Sequence, residues 1–136
     1  MYNTILVPID PSYKERARPM LDVAARFREG GSRVILLTVV EEVPSFIAVE
    51  IPEGVIDRGE QEVAQTLQEI AASAGFPVET CVRRGHPANT ILDVAEETGT
   101  DLIVIHSHRP GWEDYLIGST AARVVRHARC AVHVLR

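Results

Sequence analysis

Five short apolar runs punctuate the chain: "TILVPI" (4–9), "RVILLTVV" (33–40), "PVETCVRR" (77–84), "DLIVIHS" (101–107) and "AVHVL" (131–135). The second and fourth are almost continuously apolar and β-branched, the pattern of parallel strands covered on both faces. The third alternates. Val78, Thr80 and Val82 fall on one face, with Glu79, Cys81 and Arg83 on the other, which predicts an edge strand. Between the runs, apolar positions recur at helical spacing. "ARPMLDVAARFREGG" aligns Met20, Leu21, Ala24 and Phe27 and ends on the stop signal Gly30-Gly31. Pro19 falls in or near its first turn, where a missing N–H costs little. "VIDRGEQEVAQTLQEIAASAG" aligns Val63, Leu67, Ile70 and Ala74 and stops at Gly75; "HPANTILDVAEETG" places Pro87 early and aligns Ile91, Val94 and Ala95. "STAARVVRHA" opens on a Ser-Thr pair suited to capping.

The sum is β-α-β-α-β-α-β-α-β over one domain, residues 1–136. It predicts a parallel sheet with helices on both faces and right-handed crossovers. Segment 41–56, "EEVPSFIAVEIPEGVI", is the one long irregular connection. Its two prolines and several exposed-looking apolar residues make it a candidate lid or contact surface.

Composition narrows the class. Aromatics make up 5% of residues and Ile, Val, Leu and Ala carry the apolar content, which suits layered helix and sheet better than a β-sandwich. The net charge of -5 argues against a nucleic-acid protein, although from Arg123 onward the chain holds four arginines and no acidic side chain. Cys81 and Cys130 fit neither a metal spacing nor a redox CxxC pattern. No signal-like N-terminus and no run of membrane-spanning length occurs, so a cytoplasmic location without direct membrane insertion is expected.

In open α/β sheets, ligands settle beyond the carboxyl ends of the strands where strand order reverses. In a 3-2-1-4-5 order that point lies between strands 1 and 4. Strand 1 ends in Pro8, Ile9 and Asp10; strand 4 ends in His106, Ser107, His108 and Arg109. The last helix begins near Gly118, Ser119 and Thr120, where free backbone N–H groups favour phosphate or carboxylate. Arg109 offers a charge-assisted contact, and Asp10 an acceptor for a ribose hydroxyl or a base amine. Their convergence on one crevice favours a nucleotide. Each feature also has a plainer reading: a helix cap for Gly-Ser-Thr, a turn residue for Asp10, and a metal pair for His106 and His108, without an obvious third ligand. GxxxxGK[ST], GxGxxG after strand 1 and GxSxG are all absent, which excludes a P-loop NTPase, the ordinary dinucleotide fold and an α/β-hydrolase nucleophile elbow.

Taken together, "NTILVPIDPS", "RVILLTVV", "GHPANTILDVAEETGTDLIVI" and "YLIGSTAARVVRHARCAVHVLR" resemble the universal stress protein family over essentially the whole chain. The closing block, "SHRP…DYLIGSTAARVVRHA", is most similar to the branch associated with TRAP transporters and to the F/G-like members. The resemblance implies a three-layer α/β sandwich of the adenine nucleotide alpha hydrolase-like type, with a five-stranded parallel sheet in order 3-2-1-4-5. It implies ATP or ADP, with magnesium, across strands 1 and 4. By position, Gly118 and Ser119 match the end of the family motif G-x2-G-x9-G-[ST], with the Thr120 amide beside them. Asp10 matches the acid contacting adenosine, with Pro8 and Ile9 alongside, and Val39 the position whose backbone meets adenine. The two earlier motif glycines fall at His106 and Arg109, and the spacing to Gly118 is one residue short. The cationic S-H-R-P variant would replace part of the donation lost with those glycines.

The resemblance further implies a homodimer through the last strand, Ala131, Val132, His133, Val134 and Leu135, extendable to a tetramer, and a TRAP transporter component as a partner. Nucleotide occupancy is expected to order the 108–117 loop, which carries Trp112 and Tyr115, and so to gate contacts. No general base is evident beside a γ-phosphate, so the expectation is a binding protein with at most slow hydrolysis or autophosphorylation on Ser119 or Thr120. The competing readings are a nucleotide-free interaction module and a metal-dependent enzyme using His106 and His108.

Overall fold

The computed structural model describes residues 1–42, 44–107 and 117–136. Its elements run β1 (Tyr2–Pro8), a 3₁₀ segment (Pro11–Arg16), α1 (Ala17–Phe27), β2 (Arg28–Val40), α2 (Ser45–Ala48), α3 (Val55–Ala72), β3 (Glu79–Arg84), α4 (Pro87–Thr98), β4 (Leu102–His106), α5 (Ser119–His127) and β5 (Ala131–Leu135). The five strands form one sheet in the order β3-β2-β1-β4-β5, every neighbouring pair parallel.

The continuous apolar runs are explained by burial on both faces. Successive strand residues point to opposite sides. Ile5, Val7, Val34, Leu36, Leu102 and Val104 pack with Met20, Leu21 and Ala24 of α1 and Leu67 of α3. Leu6, Ile35, Leu37, Ile103 and Ile105 pack with Ala88, Ile91, Val94 and Ala95 of α4 and Ala121 and Val124 of α5. The helical stripes read from the sequence are therefore the faces that meet the sheet, although Phe27, Val63, Ile70 and Ala74 are only partly buried. β3 is an edge strand, as its alternation predicts. Its face carrying Cys81 is not simply polar, however, because Cys81 packs against the α4–α5 layer. Arg33 of β2 clamps Glu79 of β3 in a two-pronged ion pair, 2.8 and 3.0 Å, and the guanidinium holds the Glu79 carboxyl below the usual carboxylate range.

Two boundaries depart from expectation. α1 stops at Phe27 rather than at the Gly30-Gly31 pair, because β2 is already engaged at Arg28, opposite Tyr2. Ser32 secures this early start: its Oγ donates to the Tyr2 carbonyl and accepts from the Glu29 N–H. In the 41–56 connection a short helix, α2, breaks the irregular stretch, and Phe46, Ile47, Val49 and Val55 are exposed.

Asp101 ties the start of β4 to β1. Its carboxylate accepts from the backbone N–H groups of Asn3 and Thr4 at 2.9–3.1 Å. Burial opposes the charge, but these donors prevail and the pKa lies below its ordinary value of 3.8. A carboxyl with a lowered folded-state pKa stabilises the fold above its unfolded pKa, and loses that contribution as pH falls through the folded value. Asp101→Asn is therefore expected to lower the Tm at pH 7, with the difference from the parent shrinking below about pH 4. Thermal melts between pH 3 and 7 check this; a pH-independent difference would contradict it.

Candidate functional site

β1 and β4 pair only at Ile5↔Leu102 and Leu6↔Ile103, whereas β1 stays paired with β2 as far as Pro8↔Leu37. Beyond Leu6 the two central strands part, and Pro8 has no N–H to offer a ladder. A crevice opens at their carboxyl ends, at the point where strand order reverses. It forms a cavity of about 500 Å³, within the range of small-molecule sites.

Pro8, Ile9, Asp10, Val39, His106, Gly118, Ser119 and Thr120 all line this cavity. Ile9 is fixed by two bonds to β2: its N–H donates to the Leu37 carbonyl at 2.8 Å, and its carbonyl accepts from Thr38 Oγ1 at 3.2 Å. Asp10 acts as a turn residue at the crevice. Oδ1 caps the following 3₁₀ segment by accepting from the Ser12 N–H at 2.9 Å, while Oδ2 has no partner among the described residues.

Ser107 does not line the cavity; it joins its walls. Its N–H donates to the Leu135 carbonyl at 2.7 Å, and its Oγ accepts from the Gly118 N–H at 3.2 Å. One residue thus ties the end of β4 to β5 and to the start of α5. The His106 ring is oriented by its Nδ1 and the Ser107 carbonyl, 2.8 Å apart. That carbonyl can only accept, so Nδ1 carries a hydrogen, and in the neutral form of the ring Nε2 is then an acceptor. In that form His106 suits a hydroxyl or an amine rather than a phosphate oxygen.

The start of α5 corrects the capping expectation. Gly118, not the Ser-Thr pair, is the N-cap, and no side chain caps the helix. Ser119 and Thr120 lie in the first turn, so among the described residues no side chain competes with an anion for the opening N–H groups. Gly118 has φ -57°, an ordinary value for any residue, and is buried. Its place depends on burial and on the bond to Ser107 rather than on conformational freedom.

Sequence reasoning missed several lining residues. Tyr13 and Arg16, with the guanidinium 4.2 Å from the ring centroid, stand over the crevice from the 3₁₀ segment; their i,i+3 spacing after Asp10 was the available signal. Thr38, Glu41, Val63, Pro87 and Ile91 also line it. His108, Arg109, Trp112 and Tyr115 lie outside the described residues, as does one half of the His106–His108 metal pair. Among the described residues no group of three or more His, Cys, Asp or Glu side chains is placed to hold a metal ion. Cys81 and Cys130 are free thiols. No helix among the described residues is long and apolar enough to cross a membrane.

The fold and the crevice define an α/β domain of the adenine nucleotide alpha hydrolase-like type. The model of the universal stress protein family matches residues 1–136, and the chain belongs to that family. It is similar to the universal stress protein YxiE of Bacillus subtilis, 31% identical over 150 residues with both chains fully covered. It is also similar to the structure of the universal stress protein UspA from Lactobacillus plantarum, with TM-score 0.70, 28% identity, and 99% and 98% of the two chains covered. The universal stress protein of Archaeoglobus fulgidus in complex with dAMP shares the fold, with TM-score 0.69, 22% identity, and 99% and 98% covered.

Proposed function

We propose that this universal stress protein is a nucleotide-binding regulator that holds ATP or ADP, with magnesium, in the β1–β4 crevice. The observation that carries this reading is one cavity of about 500 Å³ that joins apolar walls and Asp10 to the start of α5, where no side chain of the described residues caps the helix. Adenine lies against Ile9 and Val39. The ribose meets Asp10 Oδ2 and His106 Nε2, both acceptors suited to its hydroxyls. The phosphates sit on the N–H groups and hydroxyls of Ser119 and Thr120. The complex of the Archaeoglobus fulgidus relative with dAMP supports an adenine nucleotide in this fold.

The chemistry of the chain's own residues is binding rather than turnover. Ser119 and Thr120 position phosphates and Asp10 and His106 orient the sugar, while magnesium held through the phosphates would supply charge neutralisation. Protein purified without added nucleotide, then acid-treated, is expected to release ATP or ADP identifiable by chromatography. Protein that releases none and shows no thermal shift with ATP and magnesium favours the nucleotide-free module instead.

Occupancy governs contacts with other chains. Trp112 is the single tryptophan, so its fluorescence reports directly on the 108–117 segment; emission unchanged by saturating ATP would contradict a gate there. β5 is the edge strand beside β4. The Leu135 carbonyl faces β4 through its bond to Ser107, and alternation then directs the backbone groups of Val132 and Val134 to the open edge. A second copy pairs there, antiparallel, to give the homodimer. Val134→Pro removes one of those outward N–H groups at a position where an edge strand tolerates proline. It is expected to convert a dimer into a monomer at micromolar concentration by light scattering; a persistent dimer would contradict this interface. Regulation of a TRAP-type transporter belongs to the same reading, and equal retention of transporter subunits by nucleotide-free and ATP-loaded protein would remove it.

A further inference from the structure

The crevice continues past the start of α5. A second cavity, of about 520 Å³, adjoins the first and shares Glu41, Pro87, Ser119 and Thr120 with it. Glu42, Gly85, His86, Ala88 and Arg123 line the second alone. The first cavity sets Asp10, Arg16, Glu41 and His106 among many apolar side chains, whereas in the smaller lining of the second Glu41, Glu42, His86 and Arg123 predominate over Pro87 and Ala88.

The ionisable groups of the second are uncommitted. Elsewhere five arginines are matched with carboxylates, in Arg18–Asp22, Arg33–Glu79, Arg83–Glu97, Arg84–Glu60 and Arg129–Glu96. The side chains of Glu41, Glu42, His86 and Arg123 make no hydrogen bond or ion pair with any described residue. Two carboxylates facing the cavity repel the terminal phosphates of a nucleoside triphosphate extended into it. A group rich in hydroxyls fits better, because each hydroxyl both donates and accepts. Glu41 and Glu42 accept from such a group, as acids do from ribose hydroxyls in dinucleotide sites, while Arg123 donates. The residues common to both cavities include the opening turn of α5, where phosphates would sit, so the phosphates of a bridging ligand lie in the middle.

We propose that the site takes nucleoside diphosphates whose terminal phosphate carries a sugar-like polyol, with the base in the first cavity and the polyol in the second. This rests on the nucleotide reading of the first cavity. The test is calorimetric titration with ADP-glucose and with ADP. ADP-glucose is expected to bind about tenfold more tightly than ADP, as a few added hydrogen bonds to charged groups would give. The double variant Glu42→Gln, Arg123→Gln, altered only in the second cavity, is expected to lose that advantage and to bind ADP like the parent. That unchanged ADP affinity also shows that the variant is folded. ADP binding with ADP-glucose no tighter overturns this proposal and leaves the nucleotide reading standing. An advantage that survives in the double variant places the glucose elsewhere and also overturns it. Binding of neither ligand overturns both.

Discussion

Ser119→Asp is expected to weaken ATP binding about 100-fold while leaving the protein at least as stable as the parent. Ser119 stands at the first position of α5, lining the crevice, with no side chain capping the helix ahead of it. A carboxylate there meets the phosphates at about 5 Å; at an effective dielectric of about 20 the repulsion is roughly 3 kcal/mol, or about two orders of magnitude in affinity. The same charge favours the free helix, since an acidic group near a helix N-terminus contributes roughly 0.3–1 kcal/mol. Binding and stability thus move in opposite directions, which a damaged fold would not produce. Calorimetry and thermal melts on the same sample separate the two. ATP affinity equal to the parent's would remove the phosphates from the start of α5.

The second large effect is on the fold. Gly85 lies at φ +153° in the turn between β3 and α4, in a region that residues with side chains rarely adopt, and a Cβ built on it would stand 2.6 Å from Thr90 Oγ1. Its N–H donates to the Val40 carbonyl at 2.9 Å, tying this turn to the end of β2. Gly85→Ala is expected to cost about 1–3 kcal/mol in backbone strain and displacement of Thr90. For a chain of this size the Tm falls by roughly 3–10 °C. Thr90→Ala in the same background relieves the contact but not the backbone, so it recovers only part of the loss. Full recovery would mean that backbone conformation contributes nothing, and an unchanged Tm for the single variant would contradict the constraint altogether.

How far the sequence anticipates the structure differs from element to element. The strands and their two-sided burial are legible because alternation assigns Leu6, Ile35 and Ile103 to one layer and Ile5, Leu36 and Val104 to the other. The crevice is legible for a topological reason: once the strand order is 3-2-1-4-5, Asp10 and His106 stand at the reversal. Local signals fail where distant residues decide. The Ser-Thr pair does not cap α5, because Gly118 occupies the cap position and its N–H is taken by Ser107, eleven residues earlier. The double glycine does not end α1, because Arg28 is already paired with Tyr2. Cys81 reads as a polar position in an alternating strand yet packs beneath the α4–α5 layer. The second cavity is invisible to motif reading, since the segments after β2 and β3 meet α5 only in the folded chain.

The central claim, an adenine nucleotide in the β1–β4 crevice, is tested most directly by titrating nucleotide-stripped protein with ATP and magnesium in a calorimeter. The expected result is saturable binding of one ATP per chain at micromolar concentration, weakened about 100-fold in Ser119→Asp. No heat and no thermal shift at millimolar ATP, from protein that melts cooperatively, would contradict it.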